Sequence, residues 1–256
     1  MTATASDALR QRAQKLGFYG LLSDWEAVAA APWIEELLRR EEAGRQQRSL
    51  ERRIHNSRIG RFKPMVDFDY AWPTKIDREQ IEDLFTLGWV NETANAILVG
   101  PNGIGKTMIA QNLAYQAVVR GATALFVTAS ELLNDLAAQE ATSSLQRRLR
   151  RYCSPQILGI DELGYLSYDN RHADLLFEVV TRRYGKKSTL ITTNKPFAEW
   201  NEVFPNASCV VTLVDRLVHH AEIVQIDGGS YRLKEAKDDA TRKSKDRATR
   251  RRHKPA

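Results

Sequence analysis

The chain has 256 residues, 43% hydrophobic and 27% charged, with 38 Lys and Arg against 32 Asp and Glu for a formal net charge of +6. That length favours one core of ordinary domain size plus an extra segment, and the composition excludes the disordered and collagenous classes. No apolar run approaches the roughly 18 residues of a membrane span, and the stretch from Met1 to Leu9 lacks a signal-peptide core, so a cytoplasmic protein with no membrane partner is expected.

From Ala8 to about Arg61, Leu9, Leu16, Leu21, Leu22, Trp25, Val28, Trp33, Ile34, Leu37 and Leu38 fall at irregular helical spacings interrupted by Gly17, Gly20 and Pro32. Several short helices fit that pattern. Between Arg39 and Lys63 nine basic residues face three acidic ones, and Arg39, Arg40, Arg45, Arg48, Arg52, Arg53 and Arg58 are the candidate DNA contacts. A solvated helix face is the alternative reading of the same run. Asp67 to Pro73, carrying Phe68, Tyr70 and Trp72, reads as an extended connector, after which Asp77 is placed to cap a helix from Arg78 to Leu87. Residues 1–65 are therefore expected to form a helical domain that binds DNA or a partner.

Beyond Asn95 the texture changes to short apolar strands alternating with helical stretches, the pattern of a parallel sheet with crossover helices. Strands are expected at Asn95 to Gly100, Ala124 to Ala129, Ile157 to Asp161, Thr189 to Asn194 and Ala221 to Ile226. Helices are expected at Lys106 to Arg120, Ser130 to Ala138, Leu145 to Tyr152 and His172 to Tyr184. The fold class is α/β, with residues 66–233 as its domain. Cys153 and Cys209 lack metal or disulfide spacing and read as small core residues. From Lys234 to Lys254 ten basic residues face four acidic ones, and residues 234–256 are expected to be a disordered basic tail.

The stretch Gly100, Pro101, Asn102, Gly103, Ile104, Gly105, Lys106 and Thr107 satisfies G-x-x-x-x-G-K-[ST] between an expected strand and a helical run that includes Met108, Ile109 and Leu113, and Gly100 to Met108 are the candidate nucleotide-binding residues. Phosphates need converging backbone N–H groups, glycines that let the loop wrap, and a helix N-terminus facing the anion. Lys106 would then reach the β- and γ-phosphates of ATP, and Thr107 would ligand Mg²⁺. Ile157 to Glu162 is an apolar strand ending in two carboxylates. Asp161 is suited to the Mg²⁺ shell, and Glu162, pointing differently, to polarising a water for attack on the γ-phosphate. If the strand ending in Asn194 lies beside it, the Asn194 amide can orient that water. Arg216 is a candidate to neutralise transition-state charge in a neighbouring subunit's site, although a lone Arg near an apolar helix is ordinarily a surface ion pair.

The ordered set Gly100 to Thr107, Asp161-Glu162-Leu163-Gly164-Tyr165-Leu166, Thr193-Asn194 and Asp215-Arg216-Leu217-Val218-His219-His220 resembles the IstB-like ATPases. Phe197-Ala198-Glu199-Trp200 and Gly228-Gly229-Ser230-Tyr231-Arg232 make that resemblance specific within P-loop proteins. It implies an AAA+ ATPase, related to DnaA and DnaC, that assists an insertion-sequence transposase and assembles as an ATP-dependent homo-oligomer on duplex DNA. Lys106 and Thr107 would belong to Walker A, Asp161 and Glu162 to Walker B, Asn194 to sensor 1, and Arg216 to the arginine finger. Two departures are visible. The polar stretch after Ile226 is too short for the helical lid of larger AAA+ proteins and assigns no sensor 2 arginine, and Val210, Val211 and Thr212 are β-branched where a helix should lead into Arg216.

Two other functions compete with a transposition helper. A DnaC-like helicase loader shares the ATPase core and differs in its partner. A small-molecule P-loop kinase would need an acceptor pocket and an Arg-bearing lid, neither of which is recognisable in the sequence.

Overall fold

The computed structural model describes residues 3–205 and 208–252. The chain divides into two compact units, Met1–His55 and Asn56–Ala256. The first unit contains α1 (Ala3–Lys15), α2 (Tyr19–Leu22), α3 (Trp25–Ala29) and the start of α4 (Ile34–Ser57). Leu9, Ala13, Leu16, Trp25, Ile34 and Leu38 form its core. Gly17, at a φ of 70°, follows α1, whereas Gly20 lies inside α2 rather than breaking it. The 24-residue α4 is longer than the short helices expected. It has no internal proline, and i,i+4 pairs such as Glu36–Arg40 and Glu41–Arg45 offset the cost of Gly44.

The expected boundary near residue 65 shifts to 55/56, because the segment that follows is tied to the second unit through buried polar groups. Gln111 donates to the Ile59 carbonyl at 2.9 Å, Asn112 donates to the Lys63 carbonyl at 2.9 Å, and Asn112 Oδ1 accepts from the Met65 amide at 3.1 Å.

In the second unit α5 (Arg78–Thr86) starts at Asp77, whose carboxylate accepts from the Gln80 amide at 3.0 Å. There follow α6 (Gly88–Asn91), β1 (Asn95–Val99), α7 (Lys106–Val119), β2 (Ala124–Thr128), α8 (Ala129–Ala137), α9 (Thr142–Cys153), β3 (Ile157–Leu163), α10 (Asn170–Arg183) and β4 (Ser188–Thr193). The unit continues with α11 (Trp200–Val203), α12 (Val210–Val218), β5 (Ala221–Gln225) and α13 (Tyr231–Arg252). The five strands are parallel in the order β2-β3-β4-β1-β5. Helices cover the sheet, so the inner strands are buried on both faces and read as apolar runs rather than alternating ones. Cys153 and Cys209 are half-buried against this core, and burial raises both thiol pKa values.

The consequence for function lies in the strand order. β4 hydrogen-bonds to β1 on one side and β3 on the other, bringing Gly100 after β1, Asp161-Glu162 near the end of β3 and Asn194 after β4 to one edge. In open α/β sheets this is the edge where ligands bind.

Two expectations are corrected. Val210, Val211 and Thr212 are helical, since α12 buries Val210, Leu213 and Leu217 against the core and that burial outweighs a small propensity deficit. Residues 231–252 form a helix rather than a disordered tail; positions 253–256 of that segment lie outside the described residues. Its Lys, Arg and Ala content suits a helix even though it cannot build a core, and its first turn is anchored. The Tyr231 amide donates to the Gly103 carbonyl at 2.9 Å, and Lys63 pairs with Glu235 at 2.8 Å.

Candidate functional site

The phosphate-type loop is built from glycines that other residues could not replace. An added Cβ at Gly100 would overlap the Ile226 carbonyl, and Gly105, at a φ of 103°, would place a Cβ 2.6 Å from Phe68. Gly103 also has a positive φ, of 78°. The loop ends at the N-terminus of the 14-residue α7, where backbone N–H groups are free to face an anion.

Lys106, the first residue of α7, is only 8% exposed. Its Nζ donates to the Gly100 carbonyl at 2.6 Å and the Pro101 carbonyl at 2.8 Å. Burial lowers its pKa to about 8, the Arg232 charge pushes in the same direction, and Asp161 opposes both. A buried ammonium that, among the described residues, donates to neutral carbonyls alone is poised for an anion.

Thr107 Oγ1 donates to Asp161 Oδ1 at 3.0 Å, joining the loop to the end of β3. Glu162 follows at a φ of 60°, a left-handed conformation that costs a non-glycine residue about 1–2 kcal/mol. Gly164 is also left-handed, and the β3–β4 register shifts between Ile160 and Leu163. Asn194, just past β4, has a buried Oδ1 that no donor reaches among the described residues. An orphaned acceptor at a strand's C-terminal edge calls for a donor from outside the chain.

These groups surround a cavity of about 310 Å³ lined by Asn102 to Met108, Glu162 and Asn194. Gly100, Pro101 and Asp161 sit outside its lining. The opposite wall contains residues whose role the sequence did not disclose. Phe68 and Trp72, expected only as connector, line the cavity, as do Tyr231 and Arg232 from α13. Trp72 Nε1 donates to the Gly229 carbonyl at 2.8 Å and the Lys234 ammonium lies 4.5 Å from the Trp72 ring centroid, binding connector and α13 together. Arg232 thus brings a second cation beside Lys106. The Gly228-to-Arg232 motif held that signal, but only the fold places it against the loop.

The remaining candidates lie elsewhere. Arg216 is not in the cavity; its guanidinium donates to Thr181 Oγ1 and lies 4.7 Å from the Phe177 ring centroid. In α4, Arg39 and Arg40 pair with Glu36, and Arg45 and Arg48 with Glu41. Arg53 donates to Ser49 Oγ, and Arg52 is exposed. At about 100° per residue Arg45, Arg48 and Arg52 share one stripe of α4, whereas Arg39 and Arg40 point elsewhere. Arg58 is past the helix end at a φ of 53° and pairs with Glu131, so it does not share a helix face with Arg52 and Arg53.

Mg²⁺ is commonly held by one or two protein oxygens with the rest from water and phosphate. The adjoining Thr107 hydroxyl and Asp161 carboxylate supply such oxygens, and among the described residues no cluster of three or more His, Cys, Asp or Glu competes as a metal site. The glycine cradle and the buried Lys106 fit a polyphosphate, and the orphaned Asn194 acceptor suits a donor such as water beside it.

Comparison with known proteins agrees with this geometry. Among solved structures, DnaI aligns with a TM-score of 0.54 at 19% identity, covering 67% of this chain and 91% of that one. The replication initiator DnaA bound to AMPPCP and single-stranded DNA aligns with a TM-score of 0.51 at 16% identity, covering 69% and 56%. These likenesses establish an AAA+ P-loop fold. In sequence, an ATP-binding protein named for insertion sequence IS5376 of Geobacillus stearothermophilus is 35% identical over 81% of this chain and 83% of its own length. One named for IS21 of Pseudomonas aeruginosa is 37% identical over 77% and 75%. One named for IS232 of Bacillus thuringiensis subsp. berliner is 32% identical over 89% and 91%. The IstB-like ATP-binding protein profile matches residues 9–239, and the chain belongs to that family.

Proposed function

We propose that this protein is an ATP-hydrolysing helper of an insertion-sequence transposase, assembling as a homo-oligomer on duplex DNA in the cytoplasm and using ATP to regulate target selection. The observation that carries the ATPase reading is the convergence of Lys106, Thr107, Asp161, Glu162 and Asn194 at one edge of the sheet. Lys106 and the amides of residues 102–107 hold the phosphates. Thr107 and Asp161 would hold Mg²⁺, which would supply positive charge to offset the negative charge of the phosphates. Glu162, exposed to the cavity and not bonded to the Thr107–Asp161 pair, accepts a proton from water, and Asn194 accepts a hydrogen bond from that same water. Arg232 adds a cation within the subunit, and Arg216, held against Thr181 and Phe177 outside its own cavity, is assigned to a neighbour's.

The test is a titration of a fluorescent ATP analogue alongside phosphate release. Glu162→Gln is expected to bind ATP as the parent does while losing about 10²–10⁴-fold in turnover. Turnover retained near the parent's rate, or loss of ATP binding, would overturn the assignment. The transposase is favoured over a helicase as partner because the curated relatives are named for insertion sequences, whereas the DnaI likeness speaks to fold alone. Co-purification with the cognate transposase, against a replicative helicase as control, decides between them.

A further inference from the structure

We propose that Thr192 is a positioning residue that sets both carboxylates of the ATPase site, fixing Asp161 through its side chain and Glu162 through its backbone. The inference rests on the ATPase reading above.

Ile160 pairs with Ile191 and Leu163 with Thr193, so two residues of β3, Asp161 and Glu162, face the single residue Thr192 of β4. That is a β-bulge, which interrupts the ladder and re-aims side chains beside functional sites. A bulged residue loses its regular backbone partner, yet the Glu162 amide is not orphaned: it donates to Thr192 Oγ1 at 2.9 Å. The hydroxyl's own proton goes to Asp161 Oδ1 at 2.5 Å. One side chain thus replaces the missing ladder bond and holds the neighbouring carboxylate.

Thr192 is 1% exposed and Asp161 is 5% exposed, so neither bond competes with bulk water. Thr107 also donates to Asp161 Oδ1, and among the described residues nothing donates to Oδ2. Two hydroxyls on one oxygen fix the carboxylate plane and leave the other oxygen unclaimed. At Glu162 the left-handed φ of 60° is held by the same hydroxyl, and it turns the side chain out of strand alternation. Without the hydroxyl, the amide is unsatisfied and the bulge can relax toward extended backbone, moving Glu162 relative to Asn194. β-Branching at position 192 also suits the strand, which explains threonine over serine.

The test compares Thr192→Val, which keeps shape and removes the hydroxyl, with Thr192→Ser, which keeps the hydroxyl. Nucleotide affinity is measured in EDTA and across a Mg²⁺ titration, with phosphate release in parallel and Glu162→Gln as control. Thr192→Val is expected to match the parent's affinity in EDTA, to need about 10-fold more Mg²⁺ for half-maximal effect, and to lose about 100-fold in kcat. Thr192→Ser should stay within about threefold of the parent in both, as good a hydroxyl in the same place. If Thr192→Val does not fold, as judged by circular dichroism, Thr192→Ala serves as the hydroxyl-free variant with the same expectation. A parent-like Mg²⁺ midpoint and kcat in the hydroxyl-free variant, or a serine variant as impaired as it, overturns the proposal while a hydrolysing parent leaves the ATPase reading intact. A parent that does not hydrolyse ATP removes both.

Discussion

Replacing Lys106 with methionine, which keeps length and removes charge, should make the stability of the nucleotide-free protein depend differently on pH. The Lys106 pKa falls from 10.5 to about 8 because the ammonium is buried. The sign follows from proton linkage: between pH 8 and 10.5 the unfolded chain holds a proton that the folded chain has released. The Lys106 contribution to stability therefore rises with pH in that window, and its full cost is felt below pH 8. For those two pKa values that cost is about 3 kcal/mol at pH 7 and about 1 kcal/mol at pH 9.5. Relative to Lys106→Met, the parent should gain about 2 kcal/mol on going from pH 7 to 9.5. Urea unfolding of both proteins at several pH values in that range, without nucleotide, reads this difference directly. Other titrating groups are common to both chains and cancel. Parallel stability curves would show that Lys106 is not a buried cation in the empty site. Bound phosphates should restore the ammonium, so ATP affinity in the parent should decline above pH 8 with proton uptake measurable by calorimetry in buffers of different ionisation enthalpy.

Two further outcomes concern assembly and DNA. Arg216→Ala subunits should bind ATP yet not hydrolyse it, and mixing them with Lys106→Met subunits should restore turnover at interfaces where an intact site meets an intact Arg216; mixed oligomers with no recovery, seen by phosphate release, would place its role within one subunit. Charge reversal at Arg45, Arg48 and Arg52, the common stripe of α4, should weaken duplex binding and flatten its log–log salt dependence by about three units, while reversal of Arg58 should do less. The ion pairs of Arg45 and Arg48 with Glu41 are solvent-screened surface pairs, so phosphates can displace them. A salt slope equal to the parent's, read by fluorescence anisotropy, would mark the arm as a solvated face.

The strands and the crossover helices of the second unit were legible in the sequence because their signals are local. Asn95 to Val99 and Ile157 to Ile160 are apolar runs of strand length, and Asp77 carries a capping carboxylate three residues ahead of the amide it binds. The phosphate loop was equally readable, since its motif lies within eight consecutive residues, although the atoms that exclude a Cβ at Gly100 and Gly105 belong to Ile226 and Phe68, far along the chain. The sheet order was not, because a periodic pattern records which face is buried and not which strand is adjacent. Only the insertion of β4 between β1 and β3 brought Asn194 to Asp161, and only the resulting register gave Thr192 two residues to face. Long-range packing also overrode local preference: burial of Leu213 and Leu217 made a helix of β-branched Val210 to Thr212, and anchoring at Gly103 and Lys63 ordered the start of a polar segment expected to be disordered. Phe68, Trp72 and Arg232 illustrate the same limit. They are separated from Lys106 by tens of residues in the chain, so nothing in their neighbourhood marks them, and closure of the α/β unit alone placed them around one cavity.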